Sequence, residues 1–190
     1  MNRIITIVLI LVFALGFTGC TKIASNILNP NNDSKTSEKL DLQKITSDTR
    51  PVSLTVPSSW KKLDATQAKS SCLFVGDLAK EQYVAVISES SLDFETNLSV
   101  EGYFSIIKTN MSKAITSAEW LNEKTGTLNG QPSIDVELNG FAGGIKLKYL
   151  IKIVKSPKAF NQILSWTLFS KGEENRKVLT DATNTFEIKE

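Results

Sequence analysis

The chain has 190 residues, 41% of them apolar and 22% charged, with 22 basic against 20 acidic side chains. So even a balance supplies no general drive toward nucleic acid, and none is expected as a partner. With no histidine and 2 cysteines, Cys20 and Cys72, Ser-His and Cys-His nucleophile systems and most zinc sites are disfavoured, while carboxylate, Lys or Tyr chemistry stays open.

Asn2 and Arg3 form a short polar, positive start, and Ile4 to Phe17 is a nearly unbroken apolar run. As a helix that run spans about 21 Å, short of a bilayer core of about 30 Å. It reads as the core of an export signal rather than a membrane span. Phe17-Thr18-Gly19-Cys20 resembles the bacterial lipobox, in which a small residue and then Gly or Ala precede the Cys; Phe17 stands where Leu is usual. The resemblance implies a diacylglyceryl group on the Cys20 sulfur and cleavage before it, so that residues 1–19 are a lipoprotein signal peptide. Two acyl chains, such as palmitate, hold a protein stably where one holds it marginally. The rival readings are an ordinary signal peptide with a chance Cys, or an uncleaved anchor. Arg3 is the only charge before Cys20, so the remainder carries 21 basic and 20 acidic residues, and Cys72 has no thiol partner left within it.

Residues 20–50 are rich in Asn, Ser, Thr, Asp and Lys and lack a sustained apolar period. Such a segment buries too little to offset its ordering entropy, and it is expected to be a flexible tether with a reach on the order of 30 Å. A short helical turn over Leu40, Leu42 and Ile45 is the alternative. Residues 51–190 form the expected globular domain, long enough to bury a core without disulfide or metal staples.

Within the domain, Val52 to Val56 alternates and stops at Pro57, as a strand does. Ser71–Leu78 and Gln82–Glu89 are β-rich runs joined by a polar hairpin connection. At Ser99 the period changes: Val100, Tyr103, Phe104, Ile107, Met111 and Ile115 recur at three- and four-residue steps, with Ser99 as N-cap. The spacing predicts a helix whose stripe packs on the core. Asn129-Gly130, between Trp120–Leu128 and Gln131–Asn139, is a strong hairpin signal. After the Gly140–Gly144 loop, Ile145, Leu147, Tyr149, Ile151 and Ile153 alternate with Lys146, Lys148, Leu150, Lys152 and Val154. Phe160–Ser170 is a further β-run, Glu173–Thr183 reads as a closing helix, and Phe186 and Ile188 follow as a docking segment. Strands, a helix, four strands in two hairpins and a helix, without βαβ alternation, predict an α+β domain with an antiparallel sheet covered by helices.

Val56-Pro57-Ser58-Ser59-Trp60-Lys61 resembles the Pro-x-x-Trp start of PsbP-like domains, whose fold is shared by the photosystem II extrinsic subunit PsbP and a small Ran-binding import protein. The order of elements agrees over roughly residues 52–189, down to Thr185-Phe186, where that family often has Ser-Phe. The resemblance implies an α/β/α sandwich with a central antiparallel sheet and a binding or accessory role. It carries over no photosynthetic, Ran-binding or manganese-binding residue.

Several constellations have two readings. Lys146, Lys148 and Lys152 share a strand face, either as a cationic binding surface for anionic headgroups, wall polymers or an acidic partner, or as a solvated or snorkelling face partly covered by a helix. Trp60, Trp120 and Trp166 either line a pocket or fill the core. Cys72 reads as a buried, inert thiol rather than a nucleophile. Asp93, Glu95, Asp135 and Glu137 are the acidic candidates for a carboxylate pair or metal site, and the position of Asp135 and Glu137 opposite an apolar face predicts a simple wet surface. The Gly140–Gly144 loop is followed by no helix and so lacks what a phosphate cradle needs.

The expected function is that of a non-enzymatic, membrane-anchored extracytoplasmic lipoprotein with a binding or accessory role. It would sit on the outer face of the cell membrane through its diacylglyceryl anchor, need no cofactor or metal, and meet a protein or small-molecule partner of unknown identity. A surface enzyme with a carboxylate or Tyr site, and a structural spacer in an envelope complex, are the alternatives.

Overall fold

The computed structural model describes residues 41–189. The export leader, Cys20 and the tether up to residue 40 lie outside the described residues. The strands are β1 (Leu42–Thr46), β2 (Val52–Pro57), β3 (Lys61–Lys62), β4 (Leu73–Asp77), β5 (Gln82–Ser90), β6 (Thr116–Leu128), β7 (Gln131–Ala142), β8 (Ile145–Lys155), β9 (Ala159–Leu168) and β10 (Glu187–Ile188). Helix α1 (Val100–Ala114) separates β5 from β6, and α2 (Gly172–Asn184) separates β9 from β10. The main sheet is antiparallel, in the order β3-β4-β5-β9-β8-β7-β6, and a small antiparallel sheet has the order β1-β2-β10.

The turns explain the main sheet. Asn129 and Gly130 have φ of 51° and 78°, the left-handed pair that a tight hairpin between twisted strands requires. Gly143 and Gly144 repeat it at 57° and 81°, so β7 and β8 pair from Ser133↔Val154 to Ala142↔Ile145. The two expected hairpins are therefore one continuous four-stranded meander. The first pair of strands joins it through β5 and β9, from Tyr83↔Trp166 to Ser90↔Ala159.

Each face of the sheet carries its own core. On one side α1 lays down Val100, Tyr103, Phe104, Ile107 and Met111, all buried, over Ile134, Val136, Leu138, Tyr149, Ile151, Ile153 and Leu164. The Ser99 hydroxyl accepts from the Gly102 amide at 3.1 Å and closes the first turn as expected. On the other side Leu179 and Ala182 of α2, with Val52, Leu54 and Val56 of β2, pack on Val75, Val84, Val86 and Ile163. The result is a central antiparallel sheet between a helix and a second layer of helix plus small sheet.

That second layer departs from expectation at residues 41–50. They belong to the domain, not the tether, because β1 pairs with β2 over its whole length, from Leu42↔Pro57 to Thr46↔Ser53. The strand sits at an edge, and beside the packing of Ile45 against the α2-side core it is held by hydrogen bonds. The Gln43 amide donates to the carbonyls of Trp60 at 2.7 Å and Ser58 at 3.1 Å, and the Ser47 hydroxyl to that of Cys72 at 2.6 Å. Composition cannot reveal such long-range pairing. β2 in turn is covered on both sides, so Ser53 is buried although alternation would leave it wet. Thr185 ties β2 to the end of α2: its hydroxyl accepts from the Thr55 amide and donates to the Thr55 carbonyl, at 2.8 and 2.9 Å.

Candidate functional site

Helix α2 crosses the face of β7 and β8 that carries the lysines, and its C-terminal half leaves a cleft of about 240 Å³ against β6, β7 and β8. Asn122, Asp135, Glu137, Lys152, Arg176 and Thr180 are among its lining residues. The helix belongs there because Asn175, in its first turns, is buried and bonded on three sides. Its amide donates to the Thr167 hydroxyl at 2.8 Å and the Lys80 carbonyl at 3.1 Å, and its oxygen accepts from Gln82 at 2.7 Å. Gln82 in turn accepts from the Trp60 indole at 3.1 Å. Each donor and acceptor in this buried chain is matched, which fixes the position of α2.

The charged groups of the cleft are matched as well. The Arg176 guanidinium grips Glu137 with both prongs, at 2.6 and 2.9 Å, a geometry that charge-assisted pairs favour. Asn122 donates to the same carboxylate at 2.9 Å, and the Lys148 ammonium lies 3.5 Å from it. Lys148 also bonds Glu173 at 2.7 Å, and Lys152 pairs with Asp135, its cross-strand neighbour. The Arg176 bonds hold the Glu137 carboxyl down to about 2, against the opposing pull of burial.

Two expectations are corrected here. Lys146, Lys148 and Lys152 do share a strand face, and of its two readings the structure matches the face partly covered by a helix and corrects the open cationic surface. Lys148 and Lys152 are buried beneath α2 and paired with Glu137, Glu173 and Asp135. Lys146 alone of the three is exposed, and its ammonium lies 3.8 Å from the Phe169 ring centroid. Nor is Glu137 part of a simple wet surface, since its side chain is 12% exposed. Periodicity along β7 shows which face Glu137 occupies but not that a helix covers that face.

The other candidates disperse. Trp60 lies in the α2-side core, Trp166 in the α1-side core, and Trp120 at the rim of α1, where its indole donates to Ser112 at 3.0 Å; they line no common pocket. Cys72 donates to the Val86 carbonyl at 3.3 Å, and burial pushes its thiol up, as suits an inert group. Asp93 and Glu95 are exposed in the connection from β5 to α1. Tyr103 is fully buried and bonded to Glu89 and Gln162, and burial pushes its hydroxyl far above the usual range. Cys20 lies outside the described residues. Sequence reasoning missed Arg176, Asn175 and Asn122. The Glu173-to-Arg176 spacing on one helix was a signal for the first, whereas nothing local marks the other two.

A carboxylate held at about 2 is ionised throughout the physiological range and is a poor proton acceptor. What the cleft offers a ligand is a ring of fixed dipoles and paired charges with exposed Asn122, Thr180 and Asn184 at its rim. The pairing also makes a stability prediction. A carboxyl lowered in the folded state stabilises the fold above its ordinary pKa of about 4.3, and loses that contribution as pH falls toward about 2. Arg176→Met should cost about 2 kcal/mol at pH 7, less than the 3–5 typical of a broken buried pair because Lys148 remains. Urea unfolding at pH 7 and at pH 3 checks this: the gap between wild type and variant should shrink at the lower pH.

No family model matches the chain, and no curated protein matches it. Solved structures do. The cyanobacterial PsbP of Synechocystis sp. PCC 6803 aligns with a TM-score of 0.56 and 17% identity, over 85% of this chain and 100% of that one. LpqN, involved in cell envelope biogenesis of Mycobacterium tuberculosis, aligns at 0.55 and 11% identity, over 81% and 94%. A Pseudomonas aeruginosa protein of unknown function, PA94, described as a putative regulator, aligns at 0.52 and 10%, over 78% and 98%. At these identities the likeness speaks to fold alone, and what it establishes is that this chain has the α+β, PsbP-like fold.

Proposed function

We propose that the protein is a lipid-anchored, extracytoplasmic binding or accessory protein without catalytic activity, whose ligand or partner engages the cleft beneath α2. The observation that carries this reading is the state of the cleft's charges. Asp135, Glu137, Glu173, Lys148, Lys152 and Arg176 neutralise one another, three carboxylates against three cations, so they shape a rigid polar wall rather than supply a free acid or base. The leader ending in Phe17-Thr18-Gly19-Cys20 supports the anchor. LpqN's involvement in cell envelope biogenesis supports an envelope role. Among the described residues no helix is long and apolar enough to cross a membrane.

The test is native mass spectrometry of the full chain extracted from its own envelope. The expected result is a bound small molecule or protein that is lost from a Thr180→Arg variant, whose side chain fills the cleft rim. A bare chain from wild type and variant alike would overturn the assignment of the cleft. A bound component that is chemically converted, with conversion lost in Asp135→Asn, would overturn the non-catalytic reading.

A further inference from the structure

The described domain has two ends along its strands, and they differ. At one end lie the β4–β5 turn, the β7–β8 turn and the short helical turn after β9. The register brings them together: Tyr83 opposes Trp166, and Leu147 opposes Leu168. Lys171, after β9, reaches Glu81 of the β4–β5 turn at 3.3 Å. At the opposite end lie the β5–α1 connection and the β8–β9 turn, joined by the bond from the Ser91 amide to the Lys158 carbonyl at 2.9 Å.

The described chain begins at the first end. The Asp41 carbonyl accepts from the Ser58 amide at 2.9 Å, and the neighbouring Ser59 hydroxyl reaches Asp77, the last residue of β4, at 3.4 Å. The same end gathers four of the five large apolar side chains that are exposed in the described domain: Leu42, Leu78 at 60%, Phe141 and Phe169. Lys146 stacks on Phe169, and Lys61 stands exposed in the strand beside β4. Leu92, the fifth at 91%, is at the opposite end with acidic Asp93 and Glu95 close behind it.

We propose that the end marked by Leu42, Leu78, Phe141, Phe169 and Lys146 rests on the surface of an anionic bilayer. The inference depends on the lipid anchor at Cys20 and specifies how the anchored domain is oriented. Residues 21–40 separate that anchor from Asp41. A chain of that length spans about 70 Å at most. A domain of this size has a radius of gyration of about 15 Å, so the end where the chain enters stays near the lipid and meets it at high effective concentration. Leucine and phenylalanine with flanking lysine suit the boundary between headgroups and acyl chains, and ammonium groups are drawn to an anionic leaflet.

The test uses the full chain, produced in cells that lipidate it and reconstituted in vesicles of phosphatidylcholine with a third phosphatidylglycerol. In a Cys72→Ser background a fluorophore is placed at Leu78→Cys or at Leu92→Cys, and quenching by brominated lipid is read for each. The expected result is at least threefold stronger quenching at position 78, reduced when phosphatidylglycerol is omitted and when Phe169→Ala and Lys146→Glu are combined. Chains that float with the vesicles but quench equally at both positions, or more at 92, overturn the surface while leaving the anchor standing. Chains that do not float with the vesicles refute the anchor, and the orientation falls with it.

Discussion

Cys20→Ser should abolish incorporation of labelled palmitate into this protein, and Cys72→Ser should leave it unchanged. The chain has only these 2 cysteines, and their surroundings differ. Cys72 immediately precedes β4 and is half-buried against the core on the α2 side, with its thiol turned to the Val86 carbonyl and raised by burial, so it is not activated for acylation. Cys20 follows a small residue and glycine at the end of an apolar leader. The effect is all or none, because a diacylglyceryl group buries two long chains at about 0.8 kcal/mol per methylene, whereas no described element replaces that attachment. Labelling that persists in Cys20→Ser, or that disappears in Cys72→Ser, would place the modification elsewhere.

Trp166→Ala is expected to be the most damaging single truncation in the domain. The indole lies 5.6 Å from the Phe74 ring and 5.5 Å from the Tyr83 ring, both nearly parallel, and 6.3 Å from Tyr149. It therefore couples β4, β5, β8 and β9, the strands through which the first hairpin joins the meander. Truncating a buried Trp costs about 3–5 kcal/mol, and each lost ring pair adds about 0.5–1.5 kcal/mol to the area term. In a domain of this size that loss lowers Tm by roughly 10 °C. Thermal unfolding followed by near-ultraviolet circular dichroism checks it. Leu92→Ala, at a fully solvated position, should leave Tm within about 1 °C and serves as the control.

What could be read from the residues and what could not divide along physical lines. Helix α1 was legible because a three-and-four period over fifteen residues has one physical explanation, and Ser99 marks its start. The Asn129-Gly130 turn was legible because few residue pairs tolerate two left-handed conformations in succession. Strand β1 was not, since its five residues show no strand-like alternation and its partners, Pro57 back to Ser53, are set by tertiary pairing. The lysine face of β8 was legible as a face, and partial cover by a helix was one of its two readings, but its ion-pair partners were not legible. A period of two places Lys148 and Lys152 together, but their partners are supplied by other elements: Glu173 by α2, and Glu137 and Asp135 by β7. The same holds for Asn175, which reads as a solvated helix residue and proves to be the buried link between α2, β5 and β9. Local pattern thus predicts which side of an element is apolar, and it is silent on what lies across from its polar side.

The PsbP-like domain is a scaffold used for more than one purpose, as fold alone never specifies function. The proposed envelope role rests on a lipid attachment at Cys20, with the cleft beneath α2 and the apolar, lysine-bearing end of the sheet as the two proposed contact regions. The most direct test is the mass of the amino-terminal peptide of the mature protein isolated from native membranes. The account predicts a peptide that begins at Cys20 and carries a diacylglyceryl group on its sulfur. A peptide with a free Cys20 thiol, recovered from a soluble fraction, would contradict it.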